Sequence, residues 1–297
     1  MSASAKSIGR LGIWSIELRF GDPGQTAEAA AEAEELGYGA IWIPGGRGGD
    51  VFGPLGHLMR STRRASVATG ILNLWMHTPA EVGAWWRSLT AAEQDRVMLG
   101  IGVGHAPVIG EAWKEPLRVM SEYLDGLDAE GLPAGRRCLA ALGPKMLDLA
   151  RDRSAGAHPY LITPEHTAEA RARLGAAAWL APEQGVILDA DPVSARQKAR
   201  VHLDTYVRLP NYQRSWKRMG FTDEDVATLS DRLVDGVFAW GTAEQVARRV
   251  AAHFDAGADH VCIQVVVGQA GSGELGTLRQ AWREIAGALS GAVPVSS

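Results

Sequence analysis

Two apolar segments with a helical segment between them form the most regular pattern in the chain. The first runs from Ala65 to Gly70-Ile71, and the second runs from Val97 to Val103. Between them, Thr78-Pro79-Ala80-Glu81 has an N-cap threonine, a proline at the first helical position and a glutamate three residues after the cap. These residues predict a helix that continues to about Gln94. Continuously apolar strands are typical of a parallel sheet covered by helices, so the pattern predicts a strand–helix–strand crossover.

The same alternation recurs along the whole chain. The predicted strands are 10–15, 40–44, 65–71, 97–103, 138–142, 157–162, 177–188 (interrupted by Pro182-Glu183-Gln184-Gly185) and 260–267. The gap between the seventh and eighth strands is much longer than the others, which indicates a helical insertion over residues 191–236, with a helix at 192–209 and a polar and aromatic segment at 210–221. We therefore predict an α/β fold, a (β/α)8 TIM barrel that forms a single domain over residues 1–297, with its insertion between strands 7 and 8. A doubly wound sheet is the alternative.

Composition narrows the class of protein. A chain of 297 residues is long enough for one barrel, and its net charge of −4 offers no basic surface for nucleic acid. Two cysteines far apart, Cys138 and Cys262, indicate reduced core thiols and a cytoplasmic protein. No apolar run approaches the ~18 residues that span a bilayer, and we expect neither export nor a membrane partner.

The predicted C-terminal ends of the strands exclude several chemistries. Glu17 has no second carboxylate across the ring, as a glycosidase requires. There is no His-x-His or His-Glu-x-x-His pattern, so no metal site is predicted, and there is no Gly-x-Ser-x-Gly elbow. The glycines of 100–104 lack the dinucleotide-binding spacing, because the third glycine would fall on Pro107. Glycine, aromatic and neutral polar residues remain, and they suit a flat organic cofactor and a small-molecule substrate.

Specific motifs resemble a known family. Val67-Ala-Thr-Gly-Ile-Leu-Asn73, Thr78-Pro-Ala-Glu-Val82 and Arg96-Val-Met-Leu-Gly-Ile-Gly-Val-Gly-His105 are similar to motifs of the luciferase-like flavin and deazaflavin oxidoreductases. The similarity is greatest to the branch that uses the 5-deazaflavin coenzyme F420. Gly143-Pro-Lys-Met-Leu147 and Gly241-Thr-Ala-Glu-Gln-Val246 extend the resemblance over nearly the whole chain. It implies a luciferase-like (β/α)8 barrel with an insertion after strand 7, and a homodimer.

The resemblance also implies where the cofactor ring binds. Proteins of this family commonly have a non-prolyl cis peptide at the end of strand 3, behind the central ring, and Gly70-Ile71 occupies that position. Leu72 and Asn73 lie beside it in the chain. Gly104 ends strand 4, where a glycine lets a ring approach the backbone closely. The alternative for the strand-4 glycines is relief of crowding inside the barrel.

The cofactor phosphate is implied at two helix starts. Gly143, Pro144 and Lys145 follow strand 5, and Thr163 and His166 follow strand 6, at the positions where the family holds the phosphate. Helix N-termini bind anions through their unpaired N–H groups, which gives this assignment a physical basis. An ordinary capped turn at Thr163 is the alternative.

One departure from the family bears on catalysis. Its sugar-phosphate dehydrogenases carry Asp-His at the end of strand 2 and Glu at the end of strand 4, where this chain has Pro44-Gly45 and His105. We therefore do not predict sugar-phosphate oxidation. His105 is the candidate catalytic residue, because imidazole exchanges protons near neutral pH; a structural histidine is the alternative.

Four further residues are predicted to line a substrate pocket. Trp14, Glu17 and Trp75 fall near strand ends, and His77 lies in the loop after strand 3. Core packing for the tryptophans and solvent exposure for Glu17 and His77 are the alternatives. Together, these features predict a cytoplasmic F420-dependent oxidoreductase that transfers a hydride between C5 of the deazaflavin and a small organic substrate. The alternatives are an FMN-dependent luciferase-like monooxygenase and a flavin- or deazaflavin-binding protein without turnover.

Overall fold

Ten parallel strands form one sheet in the computed structural model, which describes residues 8–46, 48–105, 109–110, 115–269, 271 and 273–292. The strands are β1 (Leu11–Trp14), β2 (Ala40–Gly45), β3 (Ser66–Asn73), β4 (Val97–Gly102), β5 (Arg137–Leu139), β6 (Gly156–Ala157), β7 (Trp179–Leu180), β8 (Glu183–Ile187), β9 (Phe238–Trp240) and β10 (Val261–Val265). Their order is β7-β6-β5-β4-β3-β2-β1-β10-β8-β9. Because consecutive strands are parallel neighbours over most of this order, their carboxyl ends lie at one edge of the sheet.

The sheet is curled, and the stretch of chain from β7 to β8 connects the two ends of the strand order. The predicted seventh strand is split at Pro182 into β7 and β8, but the predicted interruption was too long, because Glu183, Gln184 and Gly185 belong to β8. Ala181 N donates to Ala157 O of β6, and Cys262 N of β10 donates to Pro182 O, each at 2.9 Å. The stretch from β7 to β8 therefore has β6 on one side and β10 on the other.

Helices cover the outer surface of the sheet. They are α1 (Glu17–Phe20), α2 (Pro23–Glu35), α3 (Phe52–Ser61), α4 (Pro79–Ser88), α5 (Ala91–Gln94), α6 (Pro116–Ala129), α7 (Pro144–Arg153), α8 (Pro164–Leu174), α9 (Pro192–Leu203), α10 (Pro210–Arg218), α11 (Asp223–Thr228), α12 (Asp231–Val237), α13 (Ala243–Asp255) and α14 (Leu275–Ala292). A 3₁₀ turn covers Ala134–Arg136. None of the helices in these described ranges is long and apolar enough to cross a membrane.

Several predicted boundaries are wrong for identifiable reasons. The helix expected to run to Gln94 is two helices, because Thr90 forms a second capping box with Glu93. The predicted strand 157–162 ends at Ala157, since Pro159 has no N–H for the ladder. The predicted strand 138–142 is also shorter and shifted, at 137–139.

The segment between β8 and α13 contains more helices and strands than predicted. The expected helix 192–209 ends at Leu203, and Pro210 opens a new helix, as proline does at a first helical position. Helices α11 and α12 and strand β9, which pairs with β8, were not predicted.

The apolar core has three parts. The largest lies between the sheet and the outer helices. The second lies beneath α9–α12 and contains Leu161, Trp216 and Phe238. The third fills the inside of the curled sheet, where Trp42 stacks on Trp179 and both cysteines are buried and free. Burial raises the pKa of both thiols, which keeps them protonated.

Candidate active site

The ends of β1 and β3 meet at the predicted ring position. The Gly70-Ile71 peptide is cis, and the Trp14 indole Nε1 donates a 2.7 Å hydrogen bond to Gly70 O. A Cβ added at Gly70 would lie 2.7 Å from the Trp14 ring and 3.1 Å from His158 Nε2. The position therefore has no space for a side chain on that side of the backbone.

The residues that follow are held by their own network. Asn73 Oδ1 accepts a 3.0 Å hydrogen bond from Trp75 N, and the Trp75 indole donates to Val103 O at 2.9 Å. Leu72 is fully buried. Gly104 has φ +61°, and a Cβ there would lie 2.9 Å from Asn73 Nδ2. These contacts hold the ends of β3 and β4 next to each other.

His105 lies under helix α10. Its ring is 5.7 Å from the ring of Tyr212, and the Asn211 side chain hydrogen-bonds it. Burial lowers the pKa of His105, and the bond to Asn211 partly opposes that shift. Its Nδ1 is buried and makes no hydrogen bond to the described part of the chain. His105 is thus a neutral imidazole with one nitrogen available to a bound group.

The predicted phosphate positions also meet α10. His166 Nε2 and the Arg218 guanidinium both contact Leu142 O at 3.2 Å, and Arg218 lies 3.6 Å from a Cβ built on Gly143. Gly143 has no side chain to cap α7, so the first N–H groups of that helix stay available to an anion. Helix α8 differs, because the Thr163 side chain already accepts from His166 N.

Three predicted residues contribute less than expected. Lys145 is exposed, and Pro144, at the first position of α7, has no N–H to offer. His77 is buried against the Phe52 ring at 5.4 Å, and its backbone carbonyl accepts from Tyr123. No hydrogen bond or ring contact in the described ranges joins the His77 side chain to the ring position, so the structure does not bring it to the site.

An open cavity of about 640 Å³ lies beside α1, and a narrow extension of about 20 Å³, which shares part of its lining, lies at the carboxyl ends of β1 and β10. Glu17 lines both, and Trp14 lines the extension. Glu17 starts α1 rather than standing in a loop, and it accepts from Ser15 Oγ at 2.7 Å. Trp14 thus connects the cavity with Gly70.

Three residues that were not predicted as site residues also lie at this end of the sheet. The Tyr160 hydroxyl lies between His202 Nε2 (2.5 Å) and Gln264 Oε1 (2.9 Å). His202 and Gln264 line the narrow extension. Tyr160 stands at a predicted strand end, but its partners are 42 and 104 residues away, and no local pattern pairs them.

A buried acid–imidazole pair lies inside the curled sheet below Gly70. His158 Nδ1 bonds Ala181 O at 2.7 Å, and its Nε2 is 3.7 Å from Glu183 Oε2. Burial lowers the pKa of His158 to about 4, so its imidazole is neutral at pH 7, and burial raises the pKa of Glu183 well above its usual range. The described residues include no group of three or more His, Cys, Asp or Glu that could hold a metal ion.

Sequence comparison identifies relatives of part of the chain. The model of the luciferase-like monooxygenase family matches residues 10–129. A protein of Mycobacterium tuberculosis, provisionally named a coenzyme F420-dependent oxidoreductase, is 29% identical over 129 residues, which are 42% of this chain and 36% of that protein. The match therefore spans about a third of the relative's length.

Solved structures share the fold over nearly the whole chain. An F420-dependent secondary alcohol dehydrogenase in complex with an F420–acetone adduct has a TM-score of 0.71 at 14% identity, covering 95% of this chain and 99% of the other. The coenzyme F420-dependent tetrahydromethanopterin reductase of Methanopyrus kandleri has a TM-score of 0.70 at 15% identity, covering 94% and 97%. A type II Baeyer–Villiger monooxygenase from a plasmid of Pseudomonas putida, in complex with FMN, has a TM-score of 0.66 at 14% identity, covering 97% and 100%.

These comparisons agree with the motifs at the ends of β3 and β4. Residues 10–129 are therefore similar to the luciferase-like family, and the resemblance to that class and to its F420-dependent branch is confirmed as a resemblance.

Proposed function

We propose that the protein is a coenzyme F420-dependent oxidoreductase that transfers a hydride between C5 of the deazaflavin and a small organic substrate. The observation that carries the proposal is the position of α10. One helix covers both the ring side, through Asn211 and Tyr212 on His105, and the phosphate side, through Arg218 beside Gly143. The F420-dependent relatives support the same reading.

The residues present fit a deazaflavin with a phosphate tail. Buried nitrogens without a partner among the described residues occur at both ends of this region, on His105 and on His166. Buried polar atoms are normally hydrogen-bonded, so an unpaired one at a predicted contact is consistent with a ligand partner. The exposed guanidinium of Arg218 and the uncapped start of α7 at Gly143 supply positive charge and N–H donors for a phosphate.

Each part of the site has a distinct proposed role. Gly70, Ile71 and Leu72 with Asn73 and Gly104 would support the ring, and Trp14 fixes the Gly70 carbonyl beside it. The deazaflavin supplies the hydride chemistry when it is bound. The protein orients the ring, excludes water beneath α10 and holds one imidazole, His105, as a hydrogen-bonding or proton-exchanging group.

The remaining phosphate and pocket residues keep narrower proposed roles. Thr163 stabilises the start of α8 and thereby positions His166, while Pro144 and Lys145 place the N–H groups of α7. Glu17 and Trp75 are proposed as pocket walls at the mouth and beside β4.

We also propose that residues 1–297 form a single (β/α)8 barrel domain, with β7 and β8 together as one strand and residues 191–236 as an insertion over its mouth. The pairings of β6, β7, β8 and β10 support an eight-membered ring in which β9 is an additional strand. A homodimer, which the family resemblance implies, is part of the same proposal, as is a cytoplasmic protein acting on a small molecule, which the two free cysteines support.

The alternative is an FMN-dependent monooxygenase, which the fold shared with an FMN complex supports. The discriminating experiment mixes the protein anaerobically with reduced F420 and a panel of enones, imines and ketones, and follows the absorbance of oxidised F420. A parallel reaction with reduced FMN follows oxygen uptake. Substrate-dependent F420 oxidation supports the proposal, whereas substrate-dependent oxygen uptake supports the monooxygenase. Cofactor binding without either reaction supports a binding protein without turnover.

A further inference from the structure

Three buried polar side chains outside the ring and phosphate positions form one hydrogen-bonded chain. The Thr167 hydroxyl of α8 lies 2.8 Å from His253 Nδ1 of α13, and His253 Nε2 lies 2.8 Å from Gln184 Oε1 of β8. Thr167 and His253 are fully buried, and Gln184 is 1% exposed. The chain therefore joins a helix of the phosphate side to the sheet through one histidine.

The direction of each hydrogen bond follows from the last member of the chain. Gln184 Nε2 donates to Gly185 O at 2.7 Å and to Val237 O at 3.1 Å, and carbonyl oxygens can only accept. The Gln184 amide oxygen therefore faces His253 and accepts from its Nε2–H. Burial lowers the pKa of His253 to about 3, so the ring is neutral at pH 7 and its Nδ1 has no hydrogen. Nδ1 thus accepts the hydrogen of the Thr167 hydroxyl.

The same chain holds the end of the helical insertion. Val237 is the last residue of α12, and the last carbonyl groups of a helix have no partners within it. Arg249, one turn before His253 on α13, donates to the two preceding carbonyls, Gly236 O at 2.7 Å and Asp235 O at 2.8 Å. The last three carbonyl groups of α12 are therefore all bonded to side chains of α13 or β8.

At its other end, the chain holds the start of α8. Thr167 N donates to the carbonyl of Thr163, which caps α8, and Thr167 follows His166 directly in the helix. The charge of Arg249 also attracts Glu165, in the first turn of α8. The position of His166 on the phosphate side therefore depends on the same two side chains of α13 that hold the end of α12.

We propose that His253 is a positioning residue that couples the phosphate side of the site to the helical insertion. The proposal rests on the proposed F420-binding function and extends it to a residue that does not face the cofactor. While Thr167, His253 and Gln184 are connected, the start of α8 and the end of α12 keep one fixed relation. A phosphate bound at the start of α8 then stabilises the insertion, and the insertion in turn strengthens phosphate binding, because such coupling is reciprocal.

The first test needs no cofactor. Protein labelled with ¹⁵N-histidine is examined by NMR at pH 7, with the His253 signals assigned by their loss in His253→Gln. We expect a neutral His253 ring with its hydrogen on Nε2, and a shift of the Nδ1 signal in Thr167→Val, which removes the hydroxyl donor. A hydrogen on Nδ1, or an unchanged Nδ1 signal in Thr167→Val, would overturn the proposal whatever the cofactor is.

The second test compares threonine variants. Thr167→Val removes the link between α8 and His253, and Thr167→Ser retains it. Thr26→Val is the matched control, because Thr26 is also a buried helical threonine whose hydroxyl lies 3.2 Å from a histidine nitrogen, His57 Nε2, but between α2 and α3.

We expect Thr167→Val to raise the Kd of F420 about tenfold and to change the Kd of a phosphate-free deazaflavin less than about twofold. Thr167→Ser and Thr26→Val should stay within about twofold of the wild type for both ligands. A general loss of structure would weaken both ligands. Equal losses for the two ligands, or no loss in Thr167→Val, would therefore refute the positioning role.

The third test measures the coupling itself by hydrogen exchange and mass spectrometry. Saturating F420 should slow exchange of the amides of residues 231–240 at least about fivefold in the wild type, and this slowing should be lost in Thr167→Val. Wild-type protein that binds F420 without slowing these amides, or Thr167→Val that retains the slowing, would refute the coupling. Wild-type protein that does not bind F420 would instead refute the proposed function.

Discussion

Substitution of Gly70 by alanine tests whether the ring position is as tightly built as its contacts indicate. The new Cβ would lie 2.7 Å from the Trp14 indole and 3.1 Å from His158 Nε2. Neither ring has room to move freely. Trp14 is held by its bond to Gly70 O, and His158 is stacked 4.2 Å from Trp42 and bonded to Ala181 O at 2.7 Å.

The expected cost follows from those contacts. Forcing a methyl group into a closely packed interior typically lowers the free energy of unfolding by about 1–3 kcal/mol. If Trp14 turns away to make space, the lost indole–carbonyl hydrogen bond adds about 1 kcal/mol. For a chain of 297 residues, an unfolding entropy of about 2.1 cal/mol/K per residue converts 1–3 kcal/mol into a Tm lower by roughly 2–5 °C.

Gly46→Ala is the matched control, because the nearest atom to its added Cβ is Ile71 O at 4.0 Å. Differential scanning calorimetry of the cofactor-free proteins should give a lower Tm for Gly70→Ala only, and F420 affinity should fall in the same variant. The Gly46→Ala protein should melt at or slightly above the wild-type temperature. Equal Tm values for Gly70→Ala and wild type would show that the contacts are not restrictive, and the reasoning would fail.

Three further predictions concern the phosphate side, a helix start and pH. Arg218→Met should weaken F420 binding about 5–30-fold but leave the binding of a phosphate-free deazaflavin unchanged. Arg208→Met is the control and should change neither affinity. Equal losses of affinity for both ligands in Arg218→Met would contradict a phosphate-binding role for Arg218. Thr78→Ala should lower the free energy of unfolding by about 0.5–2 kcal/mol in urea titrations through loss of its capping box, and Thr78→Ser should retain it. Burial lowers the pKa of His158 and His260 to about 4 in the folded chain. Between about pH 6.5 and pH 4, these two histidines are therefore protonated in the unfolded chain but still neutral in the folded chain. Stability should therefore fall as pH drops from 6.5 toward 4, and a flat urea midpoint over that interval would refute the neutral assignments.

The ring side of the site was predictable because it is local in sequence. The residues from Gly70 to Asn73 follow one buried strand, Gly104 follows the next, and parallel strands place their ends side by side. The structure brings Asn73 next to Gly104 as that logic requires. For His77, strand order predicts the position of the residue but not the direction of its side chain. Its place after β3 was predicted correctly, but packing against Phe52 sets the direction of its side chain.

The hydrogen bonds of Tyr160 were not predictable from local patterns. Tyr160, His202 and Gln264 come from three elements far apart in the chain, and only the curled sheet brings them together. Proline and glycine at the ends of Pro182-Glu183-Gln184-Gly185 predict an interruption that includes Glu183. The structure places it within β8, facing His158. Strand β9 was missed because its three residues are too few to show a periodic pattern.

The central claim is that the luciferase-like fold of this chain binds a deazaflavin, and an equilibrium titration tests it most directly. The purified protein is titrated with oxidised F420 and, in parallel, with FMN, each followed by fluorescence. We expect F420 to bind with a micromolar Kd and FMN to bind at least about tenfold more weakly. A tenfold difference in Kd corresponds to about 1.4 kcal/mol of binding free energy. Tighter binding of FMN would contradict the F420 assignment and favour the monooxygenase, and binding of neither would contradict the cofactor site itself.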